Sequence, residues 1–197
     1  MDLGRWVHLG HRLGECWHDD TRDISYIHIP KNASSFIKAC LIGAGGYWRH
    51  SETLVNSKEN LIILRDPIDR WCTGIAQYLY NSNQPNMLEE LIFDTITFDD
   101  HTDLQTYFLQ GVNLDAGTFI LLDCNLKSTF TNWIKEHGYC TDISIVNNYN
   151  SSRDDAREQI KLKYVKLLAE TPSLMLKLKK HFEKDYELIN RVKFYGN

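Results

Sequence analysis

A chain of 197 residues with 43% apolar content can build one domain with a full core and is too hydrophobic for disorder. Its 22 basic and 26 acidic side chains leave a net charge of −4, which argues against general nucleic-acid binding but leaves room for a local anion pocket. No run reaches the apolar length of a membrane span, and residues 1–20 are too rich in His, Trp and charge for a signal peptide, so the expectation is a cytoplasmic protein with no membrane partner.

The five cysteines (Cys16, Cys40, Cys72, Cys124 and Cys140) are odd in number and form no CxxC pair, which points to reduced, mostly buried thiols. In chain order, "DISYIHI" (23–29) reads as a strand, and "SSFIKACLIGAGG" as a helix with an apolar stripe of Phe36, Ile37, Cys40 and Leu41. "NLIILRDP" (60–67) is a continuously apolar strand suited to the middle of a sheet. Asp66 and Pro67 then open a helix to about Tyr80. "MLEELIFD" reads as a short helix, "GTFILLD" (117–123) as a third strand, and residues 126–138 as a helix stopped by Gly138. "TDISIV" (141–146) is a candidate fourth strand. Two closing helices open at Ser152/Asp155 and Thr171/Pro172, the last with a core stripe of Leu174, Leu178, Phe182, Tyr186 and Ile189.

Strands alternating with helices predict an α/β fold with a parallel sheet flanked by helices, in a single domain spanning 1–197. Such sheets bind ligands beyond the carboxyl ends of their strands. Lys31 follows the first strand and Arg65 the second, so both belong on that rim. Small residues at a helix start let backbone amides approach a phosphate or sulfate, and Ser34 and Ser35 add hydroxyls. A guanidinium at Arg65 suits a second phosphate, with Thr73 two turns into the following helix. The ATP-type turn GxxxxGK[ST] is absent.

"PKNASS" (Pro30, Lys31, Asn32, Ala33, Ser34, Ser35) resembles the 5′-phosphosulfate loop of the sulfotransferase family, and "RDPIDRWCT" (Arg65 to Thr73) resembles its 3′-phosphate motif. The RDPxxR form is nearest to the carbohydrate-sulfating branch. "DDHTDLQTYFL" (99–109) is similar to a His-x-x-x-Gln segment of that branch, and "GTFILLDCNL" and "KHFEKDYELI" resemble later segments. The resemblance implies the P-loop-like, three-layer α/β/α sulfotransferase fold. It also implies a reaction: an acceptor hydroxyl, expected on a glycan or small molecule, attacks the sulfur of 3′-phosphoadenosine 5′-phosphosulfate (PAPS). Adenosine 3′,5′-bisphosphate (PAP) leaves, and no metal is required. Lys31 would stabilise charge on the sulfuryl and bridging oxygens. The loop amides with Ser34 and Ser35 would hold the 5′-phosphate, Arg65 and Thr73 the 3′-phosphate, and Arg153 would close over the donor.

Histidine suits the base that takes the hydroxyl proton; the His-x-x-x-Gln resemblance makes His101 the first candidate, with His50 the second. Two positions depart from the family pattern. Ala33 replaces a frequent Gly, tolerable unless φ is positive there, and Thr73 replaces Ser. The segment 1–22 holds His8, His11, Cys16 and His18 at spacings unlike a standard zinc site, and reads as a surface loop, lid or acceptor-binding extension. Trp6 and Trp17 could stack on a sugar or join a core, whereas Trp48, Trp71 and Trp133 read as packing residues. The alternatives are a nucleotide-binding module without catalysis, or a P-loop small-molecule kinase.

Overall fold

Strands and helices alternate along most of the chain in the computed structural model, which describes residues 7–8, 13–82, 97–98, 100–140 and 155–196. The strands are β1 (Val7–His8), β2 (Cys16–Asp19), β3 (Ile24–Ile27), β4 (Trp48–Ser51), β5 (Glu59–Leu64), β6 (Thr97–Phe98) and β7 (Gly117–Leu121). The helices are α1 (Ser34–Gly43), α2 (Pro67–Ser82), α3 (Gln105–Phe108), α4 (Leu126–Glu136), α5 (Asp155–Glu170), α6 (Pro172–His181) and α7 (Glu183–Arg191). Two units form. One comprises Met1–His11, Asp66–Leu104 and Ser152–Glu187; the other comprises Arg12–Arg65, Gln105–Ser151 and Leu188–Asn197.

The second unit carries a five-stranded sheet in the order β4-β2-β3-β5-β7. β3, β5 and β7 run parallel, with Ile27 opposite Ile62 and Ile62 opposite Phe119. β5 sits between two parallel neighbours and is buried from Asn60 to Leu64, as its unbroken apolar run requires. Side-chain alternation splits the core into two layers. Ile24, Tyr26, Leu61, Ile63 and Ile120 pack with the α1 stripe of Phe36, Ile37, Cys40 and Leu41 and with Phe130 and Trp133 of α4. Ile27, Ile29, Ile62, Leu64 and Phe119 pack instead with Phe108, Leu109 and Leu188.

The sheet is mixed, which corrects the expectation of an all-parallel one. β2 pairs antiparallel with both β3 and β4. Only four residues, Asp20 to Asp23, join β2 to β3, and a parallel crossover needs about a dozen. Within the N-terminal segment, Cys16–Asp19 is an interior strand and not the expected lid or surface loop. His18 is 5% exposed, and its Nδ1 lies 3.0 Å from Ser25 Oγ and 3.1 Å from Ser57 Oγ. The expected strand at 141–146 and helix at 87–94 lie outside the described residues. Phe194 bridges β7 at Phe119, and Tyr195 N donates to the Phe119 carbonyl at 2.8 Å.

The first unit packs α2, α5 and α6 around Trp71, Cys72, Ile75, Leu79, Tyr164, Leu168, Leu174, Leu178 and Phe182. The predicted last helix is two helices. It breaks at Phe182, the C-cap of α6, and the buried phase then moves to Asp185 and Leu188, leaving Tyr186 and Ile189 partly covered. Asp66 Oδ1 accepts from Asp69 N at 2.8 Å, the expected cap of α2. Cys16, Cys40 and Cys72 are buried, Cys124 and Cys140 are exposed, and all five are free thiols. No helix among the described residues is long and apolar enough to cross a membrane.

Asp19 closes β2 and is fully buried. It accepts from Thr21 N and Oγ1 (2.9 and 2.6 Å), Arg22 Nη1 (3.1 Å) and Tyr139 OH (2.8 Å). Burial opposes its ionisation, but these donors outweigh it and hold the carboxyl below its ordinary value of 3.8. Such a group adds stability above the unfolded pKa, and the contribution is lost as pH falls through the lower folded value. Asp19→Asn should therefore cost about 3 kcal/mol at neutral pH and flatten the acid limb of stability in urea titrations. An unchanged acid limb would remove Asp19 from that role.

Candidate functional site

At the carboxyl end of β3 the chain turns through Ile29–Asn32. Pro30 presets one corner, Asn32 N donates to the Ile29 carbonyl at 3.3 Å, and Lys31 takes φ 68°. That is the pattern of a type II turn, in which the position of Lys31 favours glycine. Ala33, with φ 57° and ψ 23°, is also left-handed and occupies the N-cap of α1. The condition that would make alanine unfavourable at this position is therefore met. Each such residue costs about 1–2 kcal/mol relative to its relaxed backbone.

α1 opens without a side-chain cap and with no acidic residue in its first turn. α2, in contrast, opens with both the Asp66 cap and Asp69. The first amides of a helix carry positive partial charge and suit an anion. Ser34 is partly exposed and Ser35 exposed at this end of α1.

The turn is held from below by Asn32, which is fully buried. Its Nδ2 donates to the Ile63 carbonyl at 2.7 Å and to Gln105 Oε1 at 2.6 Å. Gln105 Oε1 also accepts from Arg65 N at 3.0 Å, and Gln105 Nε2 donates to the Arg65 carbonyl at 2.9 Å. Arg65 Nη1 then donates to the Lys31 carbonyl at 2.7 Å. Two motifs more than thirty residues apart thus meet directly at one rim. Gln105, the Gln of the His-x-x-x-Gln segment, is the residue that locks them together, a role the sequence reading did not assign.

On the α1 face of the sheet, next to this rim, Glu15 Oε1 lies 2.8 Å from His28 Nδ1 and 3.2 Å from His50 Nε2. His50 is tilted against Trp17, with ring centroids 5.7 Å apart. Burial disfavours the Glu15 carboxylate, but the two histidines and Lys38 outweigh this and lower its pKa. Burial also lowers the pKa of His28, against the pull of Glu15. His28 escaped the sequence reading because it lies inside an apolar strand run; its placement two residues before PKNASS was the available signal.

Thr73 and His101 belong to the other unit. Thr73 Oγ1 donates to the Asp69 carbonyl at 2.9 Å within α2. The next residue, Gly74, abuts the His101 carbonyl so closely that a Cβ would fall 2.1 Å from it. Arg70, 1% exposed, donates to the carbonyls of Asp103 and Asp100, so the second arginine of RDPxxR anchors the loop that carries His101. His101 Nδ1 is 2.9 Å from Asp100 Oδ1. Arg153 lies outside the described residues. Among the described residues no group of His, Cys, Asp and Glu is arranged to hold a metal ion.

A cleft of about 530 Å³ lies at the opposite, amino-terminal end of β3, β5 and β7, lined by Arg22, Glu59, Thr118 and His137. Its Glu59 is engaged by Thr118, Trp133 and His137, and ligands of α/β sheets bind at the other end. No family model, curated protein or solved structure matches the chain.

Two outcomes test this geometry. Ala33→Gly should stabilise the fold by about 1 kcal/mol in chemical denaturation, because glycine adopts positive φ without strain. Asn32→Asp should cost about 3 kcal/mol or more, since a carboxylate would face the Ile63 carbonyl and Gln105 Oε1 where an amide now donates. A neutral Asn32→Asp would show that the amide does not hold the turn.

Proposed function

We propose that the chain is a sulfotransferase that moves the sulfuryl group of PAPS to an acceptor hydroxyl, expected on a carbohydrate, by in-line displacement. The observation that carries this reading is Lys31. A lysine stands where the turn favours glycine, directly ahead of an uncapped helix N-terminus and bonded through its carbonyl to Arg65. Strain of this kind persists where the side chain has work to do at a site. The resemblance of PKNASS and RDPxxR to the donor motifs supports the same assignment, and with it the sulfotransferase fold.

In this reading the amides at the start of α1, with Ser34 and Ser35, hold the 5′-phosphate. Lys31 offsets negative charge on the sulfuryl and bridging oxygens as the sulfur–oxygen bond to the phosphate breaks. Arg65, a rigid planar donor, takes the 3′-phosphate that separates this donor from ordinary adenine nucleotides. Catalysis then rests on alignment and charge stabilisation, as in phosphoryl transfer. The assignment rests on Lys31 to Ser35 and Arg65; the roles of Arg153 and His101 follow the resemblance, and those of Thr73 and His50 follow their places in the sequence.

Calorimetry should find adenosine 3′,5′-bisphosphate binding at least about tenfold more tightly than AMP, a difference of about 1.4 kcal/mol. Equal affinities would defeat the role of Arg65. Lys31→Gly should raise the melting temperature by relaxing the turn and abolish transfer from labelled donor, while largely sparing bisphosphate binding. Full activity in that variant would overturn the catalytic lysine. Tight binding with no transfer by the unaltered chain would instead favour a nucleotide-binding module.

A further inference from the structure

The sheet register places a carboxylate–imidazole pair beside the donor turn. Cys16 pairs with Ile27 and Trp17 with Tyr26, so Glu15 stands opposite His28, and His28 N donates to the Glu15 carbonyl at 3.0 Å. Trp17 also pairs with His50. By strand alternation Glu15, Trp17, Tyr26, His28 and His50 share the sheet face covered by α1. Lys38 of α1 acts electrostatically on both Glu15 and His28. Lys38 lies four residues after Ser34, on the same edge of that helix. Lys38 Nζ also lies 5.9 Å from the ring centroid of Trp17, on the face that carries the Glu15–His28 pair. His28 is three residues before Lys31 on the same strand end. The fully buried phenol of Tyr26, on the same face and within the field of Glu15, has no hydrogen-bond partner among the described residues.

We propose that His28, oriented by Glu15, is the base that takes the acceptor hydroxyl proton during sulfuryl transfer; this rests on the sulfotransferase reading above. Glu15 Oε1 accepts from Nδ1–H, which selects the tautomer whose Nε2 carries the lone pair. The acceptor proton passes to Nε2 as the acceptor oxygen bonds to sulfur. The sulfur–oxygen bond to the 5′-phosphate breaks, and its electron pair leaves with adenosine 3′,5′-bisphosphate. The side chain of His28 is 14% exposed, so it combines shelter from bulk water with access to the surface. Its depressed pKa keeps it neutral at physiological pH, as a base must be. The charged and titratable groups around it are Glu15 before β2, His50 on β4, Lys38 on α1 and Tyr26 on β3. His28 is the catalytic residue and Glu15 a positioning residue.

The test uses the full chain, bisphosphate calorimetry, and consumption of labelled PAPS with glycerol as hydroxyl probe across pH 5–9. The unaltered chain should bind PAP in preference to AMP and consume donor along a limb that rises with pH. His28→Gln should retain bisphosphate affinity within about twofold, lose about 100-fold in rate and lose that limb. Glu15→Gln should move the limb to lower pH, because the carboxylate no longer favours the imidazolium, a shift that a purely structural role would not produce. His28→Gln with normal rate and pH profile would overturn the inference and leave the sulfotransferase reading intact. So would loss of the limb in His50→Gln but not in His28→Gln. Bisphosphate binding without donor consumption in the unaltered chain would overturn the inference together with the transferase reading and favour a nucleotide-binding module. Absence of any preference for PAP would overturn both readings.

Discussion

Two residues with side chains at positive φ, Lys31 and Ala33, flank a third that is fully buried, and such a turn stays in place only if something beneath it is rigid. The Asn32 amide provides that rigidity. It donates to the backbone of β5 and to Gln105, whose own amide bonds both backbone groups of Arg65. The orientation of each amide is determined by its neighbours, because reversing either one would place oxygen against oxygen. The result is a buried polar lattice in which the donors on Asn32 and Gln105 meet acceptors, while Asn32 Oδ1 has no partner among the described residues. The conformation of Lys31, the opening of α1 and the position of Arg65 all follow from it.

The sheet determines what can gather around that turn. Parallel pairing of β3 with β5 brings the carboxyl ends of both strands to one rim, so the Lys31 turn and Arg65 become neighbours. Antiparallel pairing of β2 with β3 and β4 adds a second set of side chains to the α1 face beside the same rim. Glu15, His28 and His50 come from three different segments and converge there on one carboxylate oxygen. A mixed sheet thereby sets the Lys31–Arg65 contact and the Glu15–His28 pair side by side. An all-parallel sheet would need a crossover of about a dozen residues between β2 and β3, where the chain has only four.

Much of this is legible in the sequence. The stripe Phe36, Ile37, Cys40 and Leu41 is the buried face of α1, and the apolar run of β5 is a central strand. Asp66 caps α2, and Gly138 takes positive φ after α4. These features depend on periodicity and local capping, which a sequence displays directly. The strand at Cys16–Asp19 was hidden because its histidine and aspartate look like surface residues. They are buried only because Ser25, Ser57, Tyr139 and Arg22, distant in part from them, supply partners. The break at Phe182 was hidden for a related reason: a continuous apolar stripe does not reveal where the chain changes the core it packs against.

By itself the sequence determined the strand–turn–helix at PKNASS, the strand and capped helix at RDP, and hence an α/β fold with Lys31 and Arg65 at strand ends. Each of these follows from short-range patterns of apolar period, turn residues and caps. Only the tertiary structure decided that Ala33 and Lys31 adopt left-handed backbone, that Gln105 joins the two motifs, and that His28 rather than a loop histidine faces Glu15 beside the rim. Those outcomes depend on strand register and on which buried polar groups find partners, and neither is a property of any local stretch of chain.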